Sequence, residues 1–314
     1  MSLSPKSKRK TAAQAERALG ERSYPALRLY QLMACDTAFR VVARRCLEDL
    51  TACCAATRRG DGSALHQMRI ALTRLRTAMA FFSPMIADTE GKRLKRELKW
   101  LNGELGGARD LDVAIAQLRA VGKGRHRPIP ETRSWSASRT DSYRKLSQML
   151  ESARYRRLIK STATWIENGP WSTQDGKRAA SARATPISTY CVRKLTRWQE
   201  RLLKKSRGLH DMGKKERHRL RLQSKKLRYS MEFFQELFPT LRAPKKNSSL
   251  KHLRVAQAAL GELNDGIRTQ SLAASRERNG MQTKRFLTRE REKRLVRKAA
   301  TAYRKIAKIK PLRI

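Results

Sequence analysis

The chain has 314 residues, 72 Lys and Arg against 27 Asp and Glu, and a formal net charge of +45. Such an excess repels itself in a compact molecule and calls for a polyanionic partner. A hydrophobic share of 39%, with only 16 Gly and 10 Pro, excludes a disordered or fibrous chain. No run of about 18 uncharged apolar residues is present, which excludes a transmembrane helix, and the N-terminal SPKSKRK segment lacks the apolar run of a secretory signal. Five cysteines without a C-x-x-C pair point to reduced thiols in a cytosolic protein, with no disulfide framework and no metal site.

In chain order, residues 1–25 read as a basic tail. Leu29, Leu32, Met33, Phe39, Val42, Cys46 and Leu50 recur at helical spacing and predict one helix over 26–58. Asp61-Gly62-Ser63 breaks it, with Ser63 as the expected N-cap of a second helix over 64–82. A third helix is expected over 89–120 on the Leu94, Leu98, Leu101, Leu105 seam. A loop is expected over 121–140, where Gly, Pro, Ser and Arg abound, and a fourth helix over 141–168, ended by Gly169-Pro170. The polar stretch 171–189 reads as a linker. Four further helices are expected at 190–207, 212–238, 247–275 and 281–309. Alternating strand patterns are missing, so the fold class is all-α.

The plan repeats in its residues. His66 to Phe82 aligns without gaps to His218 to Phe234, with seven of seventeen positions identical. Leu105-Gly-Gly-Ala-Arg109-Asp110 aligns in turn with Leu260-Gly-Glu-Leu-Asn264-Asp265. The expected architecture is two four-helix bundles, 26–170 and 190–314, related by a pseudo-twofold.

At 100° per residue, Met68, Leu72, Leu75, Met79 and Phe82 form a core stripe. His66, Arg69, Thr73 and Arg76 fall on a second stripe, matched by His218, Arg221, Lys225 and Arg228. Arg74 and Lys226 stand on the far shoulders of these helices. The third helices add Arg96 and Lys99, and His252 and Arg254. With so few acids these rows lack internal counter-charge, and an anion supplies it; Arg suits phosphate because its planar fork donates in pairs. His66 and His218 fit either a structural, capping role or a share in the anion site. Asp110 and Asp265 fit either an orienting bond to a neighbouring Arg or His, or a local helix pair such as Asp110 with Arg109.

These residues resemble the CHAD domain, the conserved-histidine α-helical domain. The match lies in His66-x-x-Arg69, Arg74-x-Arg76, Leu105-Gly-Gly-Ala-Arg109-Asp110, Lys225-Lys226-x-Arg228-Tyr229 and Leu260-Gly-Glu-Leu-Asn264-Asp265, and covers about 27–308. The resemblance implies two pseudo-symmetric bundles, a basic central groove that binds inorganic polyphosphate, and association with polyphosphate granules; phosphate or sulfate ions would stand in for the polymer. Thr73 departs from the pattern, where the family often carries Arg. Relatives that also hold a triphosphate-tunnel domain show an ExExK signature; Glu290-Arg-Glu292-Lys293 is one residue short of it, so that enzyme activity does not transfer. The expectation is a cytoplasmic, non-enzymatic polyphosphate binder without cofactor, metal or membrane contact. The alternative is a nucleic-acid-binding protein. No Walker A, G-x-S-x-G or H-E-x-x-H motif supports a third reading as an enzyme. Against nucleic acid stands the low aromatic content of 6%, since single-strand binders stack bases on exposed rings.

Overall fold

The computed structural model describes residues 27–122, 131–174, 176–238, 248–274 and 287–309. The expected basic tail over 1–25 lies outside them. Among the described residues the protein is all-α, with no strand, only an isolated bridge between Ala34 and Pro186. Its helices are α1 (Cys35–Ala52), α2 (Cys54–Arg58), α3 (Gly62–Phe81), α4 (Thr89–Gly122), α5 (Glu131–Glu151), α6 (Ala153–Asn168), α7 (Lys177–Ala184), α8 (Ile187–Ser206), α9 (Lys214–Phe233), α10 (Ser249–Ala274) and α11 (Arg289–Ala307).

Three local expectations are corrected, and one stretch is described more closely. The first helix starts at Cys35, not at residue 26: the preceding chain is tied to the start of α8 by Cys35 N–H to Thr185 O and Ile187 N–H to Met33 O, which holds it extended. The cap of α3 is Asp61 in place of Ser63, its carboxylate accepting from Ser63 N at 2.7 Å and Ala64 N at 3.1 Å; Gly60, at φ +89°, makes the left-handed turn that delivers it. The expected loop over 121–140 becomes helical from Glu131, and Ser152, which caps α6, divides α5 from α6. What holds α5 down is a half-buried carboxylate: Asp112 of α4 accepts from Arg139 Nε at 2.7 Å and Tyr143 Oη at 2.7 Å. The stretch read as a linker, 171–189, folds as a 3-10 turn at Pro170–Ser172, α7 and the start of α8.

The core stripe of α3 is buried in full, Met68, Leu72, Leu75, Met79 and Phe82 alike. The aligned Phe-Phe pairs that end α3 and α9 meet in one apolar core: Phe81 lies 5.1 Å from Phe234, and Phe82 stacks on Tyr190 at 5.8 Å. Tyr190 Oη donates to Phe81 O at 2.7 Å, satisfying a buried hydroxyl. The helices bearing the repeated motifs therefore pack against their counterparts, α3 on α9 and α4 on α10. This packing brings Arg69 of one cationic row and Arg221 and Lys225 of the other to one junction.

Candidate anion-binding site

Arg69 of α3 and Arg221 of α9 are seated in the same way. Each lies against the glycine of the aligned Leu-Gly motif of the next helix. A Cβ at Gly106 would stand 3.4 Å from Arg69 Nη1, and one at Gly261 3.6 Å from Arg221 Nη2. Both glycines are buried, so these side chains pack flat on bare helix backbone. Arg69 also donates to Asn102 O at 3.5 Å. Burial, together with Arg268, Arg109 and Arg221, holds its guanidinium pKa below the ordinary value, with Asp110 opposing.

Lys225 joins them from α9. Burial, then Arg221 and Arg228, push its ammonium down to about 7, and Asp265 opposes. His66, on α3, is half-buried; burial, then Arg109, Lys225 and Arg69, push it down to about 4, so its ring is neutral at pH 7. Five cations, Arg69, Arg109, Arg221, Lys225 and Arg268, thus act on one another at the junction, with the carboxylates of Asp110 and Asp265 beside them. Asp110 is bonded by Arg268 Nη2 of the other half at 2.6 Å. Burial raises the Asp110 pKa, and Arg268 and Arg69 pull it back. Asp110 therefore pairs across the junction; among the described residues, no ion pair with its neighbour Arg109 forms. His218 Nδ1 bonds Asn264 Oδ1 at 2.8 Å, and Asn264 Nδ2 reaches Asp265 Oδ1 at 3.4 Å. This is an orienting chain for the ring.

The other candidates are placed differently. Arg76 is half-buried, its pKa lowered by burial, and makes no ion pair among the described residues. Arg228 is held by Gln257 Oε1 at 2.7 Å and Glu232 Oε1 at 2.7 Å, and lies over the Tyr229 ring. Arg74 is a buried structural cation. It donates to Glu232 Oε2 at 3.3 Å and sits 4.7 Å from the Phe233 ring centroid, joining α3 to α9 away from the cluster. Arg254 is exposed and reaches Glu232 Oε1 at 3.3 Å. Arg96, Lys99 and Lys226 are exposed and take no part in the cluster, and His252 faces α11 on the opposite side of α10. Sequence reasoning missed Arg109, Arg268, Asn264 and Glu232 as site residues. Arg109 and Asn264 occupy aligned positions one residue before the paired aspartates, Arg268 follows Asp265 by three, and Glu232 follows Arg228 by four. Helical spacing alone carried those last two signals.

A family model described as the CHAD domain matches residues 41–274, and the chain belongs to this family. Among solved structures it is similar to the CHAD domain from the plant Ricinus communis, with a TM-score of 0.70 and 22% identity over 93% of this chain and 99% of that one. It is also similar to PptA from Streptomyces chartreusis, with a TM-score of 0.56 and 14% identity over 87% of this chain and 95% of that one. At these identities the two likenesses speak for the fold. No curated protein matches the chain. No described helix is long and apolar enough to cross a membrane.

Proposed function

We propose that the protein binds inorganic polyphosphate at the junction of α3, α4, α9 and α10, without turning it over. The observation that carries this reading is the meeting of five cations from both halves beside only two carboxylates. Arg69 and Arg221, seated on glycines, are preorganised, so little side-chain freedom is lost when they meet a ligand oxygen. The CHAD resemblance points to the same polymer. A bare phosphate chain asks for charge and hydrogen-bond donors but no stacking surface, and the described phenylalanines are buried in the core. The reading extends to a place on cytoplasmic polyphosphate granules.

Titration with long-chain polyphosphate at rising salt tests it. Affinity should fall linearly in log-log form, by roughly 0.7 per cation engaged if the polymer behaves like single-stranded nucleic acid. Absence of binding at low salt rejects the reading. Displacement of polyphosphate by RNA at equal phosphate concentration would favour the nucleic-acid alternative, and phosphate release by the pure protein would contradict the non-enzymatic one.

A further inference from the structure

On the side of α10 turned away from Arg254, a second positive site stands apart from the junction. His252 and Arg254 are two residues and so about 200° apart on the helix, which puts them on opposite faces. A cavity of about 430 Å³ opens between α10 and α11, lined by Lys251, His252, Arg297, Lys298, Thr301 and Lys305. Arg297, Thr301 and Lys305 follow one another at i, i+4 and i+8, so they share a face of α11, with Lys298 beside them. Val255 and Ala302 complete the lining, which contains no carboxylate. Among the described residues none of its four cations makes an ion pair.

His252 lines this cavity beside the four exposed cations. Its residue is only 6% exposed, and its ring makes no hydrogen bond among the described residues. Burial, then Lys305 and Lys251, hold its pKa below the ordinary value. Crowding four like charges without an ion pair around one cavity is unfavourable, and an anion entering it relieves that repulsion.

We infer that this cavity is a second anion site, taking a compact ligand that carries two or three linked phosphates. At about 430 Å³ the cavity has room for a small polar ligand such as a di- or triphosphate group. At roughly −1.5 to −2 charges per terminal phosphate, four cations balance a di- or triphosphate group. Such a group occurs free as a short inorganic chain and as the tail of a nucleotide. The inference goes beyond the polymer reading, and the junction and this cavity are separable by mutation.

Inorganic tripolyphosphate is the probe, and the His252 imidazole resonance is the reporter. On titration the His252 signal should shift and its apparent pKa rise, while the exposed His210 stays put. Replacing Lys251, Lys298 and Lys305 by Ala should weaken that response about tenfold or more, equivalent to losing at least one charge-assisted contact. In Arg69→Ala/Arg221→Ala the response should persist, whatever becomes of polymer binding. A second arm with ATP assigns the source: a response to ATP marks a nucleotide tail, and a response to tripolyphosphate alone marks the inorganic chain. The inference is overturned if His252 responds no more than His210, or if the triple variant responds like the parent protein.

Discussion

The aligned helices α3 and α9 carry nearly the same motif and put it to different uses. On α9, His218 finds a neutral acceptor in Asn264, whereas the corresponding residue in the first half is Arg109, whose charge helps push His66 down to about 4. Where α9 has Lys225, α3 has Thr73, whose hydroxyl donates to Arg69 O at 2.8 Å and is spent on its own helix. Where α9 has Glu232, which gathers Arg74, Arg228 and Arg254, α3 has Ala80. Arg228 is therefore tied down and Arg76 is not. Only Arg69 and Arg221 keep matching seats, each on a glycine. Glu232 thus ties down Arg74, Arg228 and Arg254, while Arg69, Arg76, Arg221 and Lys225 carry no such bond, a division that an identity count between the motifs hides.

The largest expected effect breaks the holding side. The Arg74 and Glu232 side chains are 6% and 12% exposed, and removing one partner of a buried pair leaves the other charge uncompensated, at about 3–5 kcal/mol. Glu232→Ala should lower the thermal midpoint by roughly 6 °C or more, given about 2–4 °C per kcal/mol for domains of this size. A midpoint within a degree of the parent protein would show that this carboxylate does not join the halves.

A smaller effect sharpens the contrast between free and tied cations. Arg76→Ala should weaken polyphosphate binding more than Arg228→Ala does, because Arg228 must leave Glu232 before it can serve a phosphate. A difference of about 1 kcal/mol, fivefold in Kd, is the scale of one such contact. Equal losses would mean that the Glu232 bond does not restrain Arg228.

The smallest effect concerns pH. Lys225 titrates near 7 in the fold against an ordinary value of 10.5. The cost of its burial is present in full below pH 7 and is relieved as pH rises toward 10.5, because in that window only the unfolded chain keeps the proton. A bound polyanion favours the ammonium, so binding above pH 7 should take up a proton, and affinity should decline from about pH 7 to about pH 9. Lys225→Arg, which stays charged throughout, should flatten the profile. An unchanged profile in that variant would remove Lys225 from the site.

Much of this was legible in the sequence. The apolar stripe of α3 was legible as a core face and the duplicated motif as a pair of cationic rows lying near each other, but the packing of the Phe-Phe ends on one another was not. The stripe geometry placed Arg69, Arg221 and Lys225 together. Arg74 and His252 were legible as anion-site candidates but not as to where they point, because a helix touching neighbours on several sides sends residues one or two positions apart into different environments. The helix from Glu131 escaped because its residues look polar, and the Asp112 carboxylate that fixes it comes from another helix. The cross-junction bond of Asp110 to Arg268 escaped for the same reason, since only the packing of α4 on α10 creates it.

The most direct measurement is calorimetric titration of polyphosphate into the parent protein and into Arg69→Ala/Arg221→Ala/Lys225→Ala, with circular dichroism confirming equal helicity. A junction that binds the polymer predicts at least a hundredfold loss of affinity, about 2.7 kcal/mol. Parent-like affinity in a fully helical triple variant would contradict it.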